Sequence, residues 1–91
     1  MSQWFVYLVR CRDHTLYCGI TPNLHDRIQA HNLGKGAKYT RSRLPVELVF
    51  SQQLANRSEA AKREYQIKKM TRAQKLTLIR TSPLNDEPTR D

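Results

Sequence analysis

Long apolar runs are missing from this chain of 91 residues, so no segment reaches the roughly 20 apolar residues that a membrane-spanning helix needs. The basic segments carry lysine around much of their girth, which also disfavours lying on a membrane surface. The opening Met1-Ser2-Gln3 lacks the basic and then apolar pattern of a secretory leader. Cysteine is scarce. Cys11 and Cys18 are the only two, they form no C-x-x-C pair, and both lie in apolar runs where a free thiol behaves as a small hydrophobe. These absences predict a reduced, cytoplasmic protein. A zinc set drawn from Cys11, His14, Cys18 and His25 has the wrong spacing for paired tetrahedral ligands. No G-x-S-x-G elbow is present, which removes the simplest serine-hydrolase reading. Acidic residues are few: 8 against 16 lysines and arginines, a formal charge of +8. That imbalance favours an anionic partner, DNA first, with RNA not excluded.

What is present fits one small domain with a thin core. Residues 1–80 read as a single α+β domain, and residues 81–91, with Pro83, Pro88 and mixed charge, as a disordered tail. Trp4 to Cys11 is apolar at nearly every position, which suits a strand covered on both faces. Arg12-Asp13-His14 is turn-like and Thr15 to Ile20 is a second strand, so the pair predicts a hairpin. If the connection holds an odd number of residues, pairing Tyr7 opposite Tyr17, both rings project from one face; the sequence does not fix that register. Thr21 as a hydroxyl N-cap and Pro22 at the first helical position predict a helix to His31. Leu24, Ile28 and His31 share its stripe, Arg27 lies beside it, and Asn32 and Gly34 end it. Residues 34–43 form a glycine-containing basic loop, and Val46 to Leu54 a third strand. Asn56-Arg57-Ser58-Glu59 and Thr71-Arg72-Ala73-Gln74 have capping-box spacing and open helices to about Met70 and Arg80. The order ββαβαα predicts a small three-stranded antiparallel sheet flanked by helices.

Chemistry concentrates in a few residues. Glu64 shares a stripe with Ala60, Ala61 and Ile67, while Lys62, Gln66 and Lys69 point away. A carboxylate on an apolar stripe is costly unless it is paired or bound to a metal. Arg27 and Lys68 are its possible ion-pair partners. A single carboxylate can also hold Mg²⁺ or Mn²⁺, with water and substrate oxygens completing the shell. Arg27 and His31 are one helical turn apart. Arginine presents a fork that matches phosphate oxygens, and histidine moves protons near neutral pH. The plainer alternatives are a solvated helix arginine and a histidine set against the helix dipole. Tyr7 and Tyr17 either pack the sheet or position water and phosphate; a base role requires a neighbouring cation or metal to lower the phenol's pKa. Lys35, Lys38, Tyr39, Arg41 and Arg43 in the basic loop, with Lys68 and Lys69, are candidate phosphate contacts.

Taken in order, these residues resemble the GIY-YIG nuclease superfamily. Its first motif corresponds to Phe5-Val6-Tyr7 and its second to Tyr17-Cys18-Gly19, with Phe5 in place of a glycine and Cys18 in place of an isoleucine. The similarity is closest to small stand-alone bacterial members of the UPF0213 kind. Their Leu-Tyr-x-Gly-Ile-Thr, Gly-Lys-Gly-Ala-Lys-Tyr-Thr-Arg and Lys-Arg-Glu-Tyr-Gln-Ile-Lys-Lys segments stand here at residues 16–21, 34–41 and 62–69. The asparagine that larger members carry near the module's end has no counterpart, and Asn85 is not assigned to it. The resemblance implies an endonuclease that hydrolyses DNA with one Mg²⁺ or Mn²⁺, structure-selective work in DNA repair or recombination, and in some members a protein partner. It implies catalytic roles for Tyr7, Tyr17, Arg27, His31 and Glu64, with Glu64 on the metal. These five are expected to meet in one solvent-reachable cleft on one sheet face. The alternatives are a non-catalytic nucleic-acid-binding module and an adaptor whose helices, residues 57–80, dock a protein.

Overall fold

Strand β1 (Trp4–Arg10) is the centre of the fold, because its apolar residues point alternately to both sides. Val6 and Leu8 face one way, Tyr7 and Val9 the other, and all four are fully buried. The computed structural model describes residues 3–82, so the expected tail lies outside the described residues apart from Thr81 and Ser82. Strands β2 (Leu16–Thr21) and β3 (Glu47–Leu54) pair with β1 from either side, both antiparallel, in the order β2-β1-β3.

The β1–β2 connection is a five-residue turn from Cys11 to Thr15. The Cys11 N–H donates to the Thr15 carbonyl at 2.8 Å, and the Thr15 hydroxyl donates to Asp13 Oδ1 at 2.6 Å. His14 takes a left-handed φ of 70° to close it. The turn places Tyr7 opposite Gly19 and Tyr17 opposite Val9. Tyr7 therefore does not lie opposite Tyr17. The offset is two residues, however, and an even offset leaves both tyrosines on one face.

Helix α1 (Leu24–Asn32) begins later than its Thr-Pro start predicts. Thr21 is the last residue of β2, paired with Phe5, and its hydroxyl accepts from the Asn23 N–H at 3.1 Å. Asn23 is the N-cap instead, accepting from the Asp26 N–H. Gly34 ends the helix at a φ of +78°. The following basic segment is not a plain loop: it contains a short helix, α2 (Lys38–Arg41). Asn32 joins this region to the sheet, its side chain bonding both the N–H and the carbonyl of Val46 at 2.7 and 3.1 Å.

Helices α3 (Arg57–Lys68) and α4 (Arg72–Thr81) start as their caps predict. Asn56 accepts from the Glu59 N–H, and Thr71 and Gln74 form a complete capping box. Ala60 and Ile67 are the buried residues of α3. Ala61, expected on the buried stripe, is exposed. The helix presents a narrow line to the flat sheet, and a residue one position round from Ala60 turns outward by about 100°.

Two apolar clusters lie on opposite sides of the sheet. On one side Val6, Leu8, Cys18 and Phe50 pack with Ile67 of α3 and with Leu78 and Ile79 of α4. On the other, Tyr7, Val9, Cys11 and Val46 pack with Tyr17 and with Leu24 and Ile28 of α1. Full burial of each large apolar side chain stabilises the fold by about 1.5–3 kcal/mol. This division fixes which side chains can reach the candidate site from α1 and which must come from α3.

Candidate active site

The α1 face of the sheet brings four of the five expected residues together. The Tyr7 hydroxyl lies 2.9 Å from His31 Nε2, and Arg27 Nε donates to the same hydroxyl at 3.3 Å. Tyr17 adds its ring edge-on to the imidazole, with centroids 5.6 Å apart. Arg27 and His31 reach Tyr7 because one helical turn puts both on the side of α1 that packs on the sheet.

Depth distinguishes these four. Tyr7 and His31 are 0% exposed, whereas Tyr17 and Arg27 are half-buried. The buried pair therefore does not itself line the solvent-reachable cleft that was expected. Glycines make this depth possible. A Cβ on Gly19 would stand 2.6 Å from the Tyr7 oxygen, and one on Gly36 would stand 2.8 Å from His31 Cγ. Bare backbone at these two positions lets β2 and the α1–α2 connection close over the rings.

Burial also sets the charges. It raises the Tyr7 phenol above its ordinary value of 10.0, outweighing the Arg27 hydrogen bond, so the resting group is a neutral phenol. Burial, and then the Arg27 charge, lower His31 below 6.5, so the imidazole is neutral at pH 7. His31 is thus no solvated helix-end histidine. Its Nδ1 lies 2.8 Å from the Thr40 hydroxyl, which donates to the Ala37 carbonyl at 3.0 Å. Thr40, itself fully buried, was not legible as a site residue from its type alone; its signal was the Gly34–Arg41 segment.

Tyr39 and Arg43 make contacts within the protein. Tyr39 stacks on Tyr17 at 5.7 Å, and the Arg43 guanidinium sits 4.0 Å from the centre of the Tyr39 ring. Arg43 is held by Asp13 Oδ2 at 3.1 Å and by the Tyr39 carbonyl at 2.7 Å. The hairpin turn, Arg43 and Tyr39 thus form a brace behind Tyr17. Lys35, Lys38 and Arg41 are exposed, and among the described residues no ion pair involves them. Lys69 sits over the exposed Tyr65 ring at 4.9 Å.

Glu64 does not share the face of the other four. The Ala60–Ile67 line seats α3 on the Val6, Leu8 and Cys18 side of the sheet, and this corrects the expectation of convergence on one face. Within α3, Arg63 leans toward β3, where its Nε donates to Gln52 at 2.9 Å. Glu64, about 100° further round the helix, leans toward the edge strand β2. Its charge is felt there: burial first, and Glu64 second, push the Cys18 thiol up to about 12. Lys68 lies 3.1 Å from the Glu64 carboxylate, so the ion-pair alternative is realised with Lys68 and not with Arg27. Burial lowers the Lys68 pKa, but its hydrogen bond and charge attraction to Glu64, with smaller help from Tyr17, leave it raised. Lys68 therefore lies beside Glu64 and close enough to Tyr17 to feel its hydroxyl.

A divalent ion has one hard donor here. Among the described residues no three His, Cys, Asp or Glu side chains gather as a metal-binding group. The Glu64 side chain is 23% exposed and partnered by a lysine that is 53% exposed and free to swing away. One accessible carboxylate suits a cation that keeps most of its water and shares phosphate oxygens, as Mg²⁺ does. No helix among the described residues is long and apolar enough to cross a membrane.

Known proteins resemble this chain along most of its length. A sequence profile described as the GIY-YIG catalytic domain matches residues 3–77. A UPF0213 protein of Staphylococcus haemolyticus is 51% identical over 79 residues, covering 87% of this chain and 96% of that protein. One from Clostridium perfringens is 53% identical over 83 residues, covering 91% and 89%. Among solved structures, the solution NMR structure of protein EF2693 from E. faecalis superimposes with a TM-score of 0.61 at 37% identity, covering 89% of this chain and 86% of that one. That of the UPF0213 protein BH0048 from Bacillus halodurans gives 0.56 at 38% identity, covering 86% and 83%. With the profile spanning nearly the whole described chain and half the residues shared with UPF0213 relatives, the chain belongs to the GIY-YIG catalytic-domain family.

Proposed function

We propose that the protein is an endonuclease that hydrolyses DNA phosphodiester bonds with the help of one Mg²⁺ or Mn²⁺ held by Glu64. The observation that carries this reading is the hydrogen-bonded set Arg27–Tyr7–His31: a phosphate-matching cation and a neutral imidazole share one buried phenol. A solvated surface has no use for such an arrangement, and a reaction that moves a proton beside a phosphate does.

In this mechanism Arg27 leaves its long 3.3 Å bond to Tyr7 and takes the scissile phosphate through its guanidinium fork. Its charge then opposes the negative charge that builds on phosphorus. The move uncovers the lone pair of the Tyr7 oxygen for the attacking water. That water gives a proton to Tyr7 as Tyr7 passes its own to His31 Nε2, so the phenol relays the proton without a lasting phenolate. Tyr17, held by the Tyr39–Arg43 brace, orients the phosphate at the rim of β2. Glu64 approaches the same rim from the α3 side once Lys68 turns to a DNA phosphate. As the bond from phosphorus to the 3′ oxygen breaks, an ion held by Glu64 would supply Lewis-acid stabilisation of the leaving oxygen until solvent protonates it. Lys35, Lys38 and Arg41 grip the flanking backbone, and Lys68 and Lys69 extend the positive surface. The physiological setting that fits is structure-selective cutting in DNA repair or recombination within the cytoplasm, with or without a protein partner.

One observation favours a second reading, a non-catalytic module that grips nucleic acid, either DNA or RNA. Glu64 is neutralised by Lys68 and springs from the face opposite Arg27. Cleavage assays on duplex, single-stranded, flapped and branched DNA, with and without Mg²⁺ or Mn²⁺, separate the two. Metal-dependent cutting that disappears in Arg27→Ala supports the nuclease; salt-sensitive binding with no cutting under any metal supports the module.

A further inference from the structure

We propose that Thr40 is a positioning residue that fixes the tautomer of His31, so that Nε2 is kept free to accept the Tyr7 proton. The inference rests on the proposed nuclease reading for its consequence, though not for its geometry.

The directions in this chain of contacts are fixed at the Arg27 end and completed at the Ala37 carbonyl, which also accepts the Thr40 N–H at 3.1 Å. Arg27 is always charged and can only donate, and its Nε donates to the Tyr7 oxygen at 3.3 Å. The Ala37 carbonyl can only accept, and it takes the Thr40 hydroxyl proton at 3.0 Å. Having spent its one proton there, the Thr40 oxygen accepts from His31 Nδ1 at 2.8 Å. A neutral imidazole carries one N–H, so Nε2 is then an acceptor, and the Tyr7 hydroxyl donates to it at 2.9 Å. Every buried group has a partner in this arrangement. The opposite tautomer makes His31 Nε2 donate to Tyr7, whose oxygen would then accept twice while its own buried proton found no acceptor among these groups. An unsatisfied buried donor costs about 1–3 kcal/mol, enough to hold one tautomer predominant.

The segment after α1 is built to hold this contact. Gly34 turns the chain at φ +78°, Gly36 passes over the His31 ring where a Cβ would stand 2.8 Å from Cγ, and α2 then presents Thr40 to Nδ1. Thr40 and His31 are both 0% exposed, so water does not compete for either group. The segment that carries Lys35, Lys38 and Arg41 on its outside thus carries the histidine's orienting group on its inside.

The test is a two-bond ¹H–¹⁵N correlation spectrum of the uniformly labelled protein above pH 6.5, with the His31 signals assigned by their loss in His31→Gln. The wild-type protein is expected to show His31 as the Nδ1–H tautomer. Thr40→Val, which keeps the shape and removes the hydroxyl, is expected to populate the Nε2–H tautomer and to lower cleavage about tenfold or more. Thr40→Ser restores the hydroxyl and is expected to return the wild-type spectrum. A wild-type His31 in the Nε2–H form overturns the proposal without any variant, and so does a Thr40→Val protein whose spectrum and cleavage match wild type. If the tautomers behave as stated but no variant or wild-type protein cuts DNA, the nuclease reading fails while the role of Thr40 in orienting His31 stands.

Discussion

Replacing Gly19 by alanine places a methyl carbon 2.6 Å from the Tyr7 oxygen and 2.8 Å from its Cζ. Neither partner can yield cheaply. Gly19 is locked into the β1–β2 ladder opposite Tyr7, and the Tyr7 ring is fully buried with its hydroxyl tied to His31 and Arg27. Relief needs a ring shift approaching 1 Å, which strains the 2.9 Å bond to His31 and the 3.3 Å bond to Arg27. Overpacking of this kind costs about 1–3 kcal/mol, and weakening the two hydrogen bonds adds about 1 kcal/mol. For a domain of this size each kcal/mol moves Tm by roughly 4–8 °C, so Gly19→Ala should melt at least about 8 °C below wild type. A misplacement of about 1 Å at the proton relay should lower cleavage about 100-fold. Thermal unfolding followed by circular dichroism and a plasmid-cleavage assay read the two effects. Gly34→Ala is the control: a Cβ there meets nothing within 4 Å, and its cost is the backbone strain of φ +78°, about 1–2 kcal/mol, with no displacement of Tyr7. A Gly19→Ala protein that melts and cuts like wild type would refute the packing of Tyr7 against β2.

Acid should act through His31, whose surroundings are Arg27, Tyr7, Tyr17 and Thr40. Because burial holds its folded pKa below the ordinary 6.5, its contribution to stability is whole above pH 6.5 and is lost as pH falls toward the folded value. The acid limb of the cleavage profile should accordingly lie below pH 6.5; a limb above that value contradicts the neutral, buried imidazole. DNA binding should weaken with salt at a log–log slope of roughly −4 to −5 if about five phosphates are contacted. Removing Lys35, Lys38 or Arg41 should flatten that slope by about 1 each, and a slope near zero would point to a protein partner instead.

The strands and three longer helices were legible because each carries a local signal that tertiary contacts reinforce. An unbroken apolar run marks central β1, and Asn56 and Thr71 mark the starts of α3 and α4. The start of α1 was misread because Thr21 has two roles to choose from, and pairing with Phe5 in the sheet outweighs capping. The nearness of Arg27 to His31 was legible from the helical period, whereas that of Tyr7 and Tyr17 rested on a hairpin register the sequence does not fix and on the family resemblance. Their depth was not, because it depends on Gly19 and Gly36 lying against rings far away in sequence. The side of Glu64 was also hidden. A stripe shows that a helix packs on a sheet, but not on which face. The anchoring of Arg43 was hidden as well, because Asp13, which holds it, lies 30 positions away.

The most direct test is metal-dependent cleavage by wild type and Glu64→Gln, measured together with DNA affinity and Tm on the same preparations. The substitution keeps size and hydrogen bonding and removes the charge. If Glu64 holds the ion, cutting by wild type requires Mg²⁺ or Mn²⁺, and in Glu64→Gln it collapses while DNA affinity stays level or rises. Its pair with Lys68 is half-exposed and worth at most about 1 kcal/mol, so Tm should fall by no more than about 8 °C. A Glu64→Gln protein that melts lower but still cuts DNA with the same metal dependence would contradict the assignment of Glu64 to the metal.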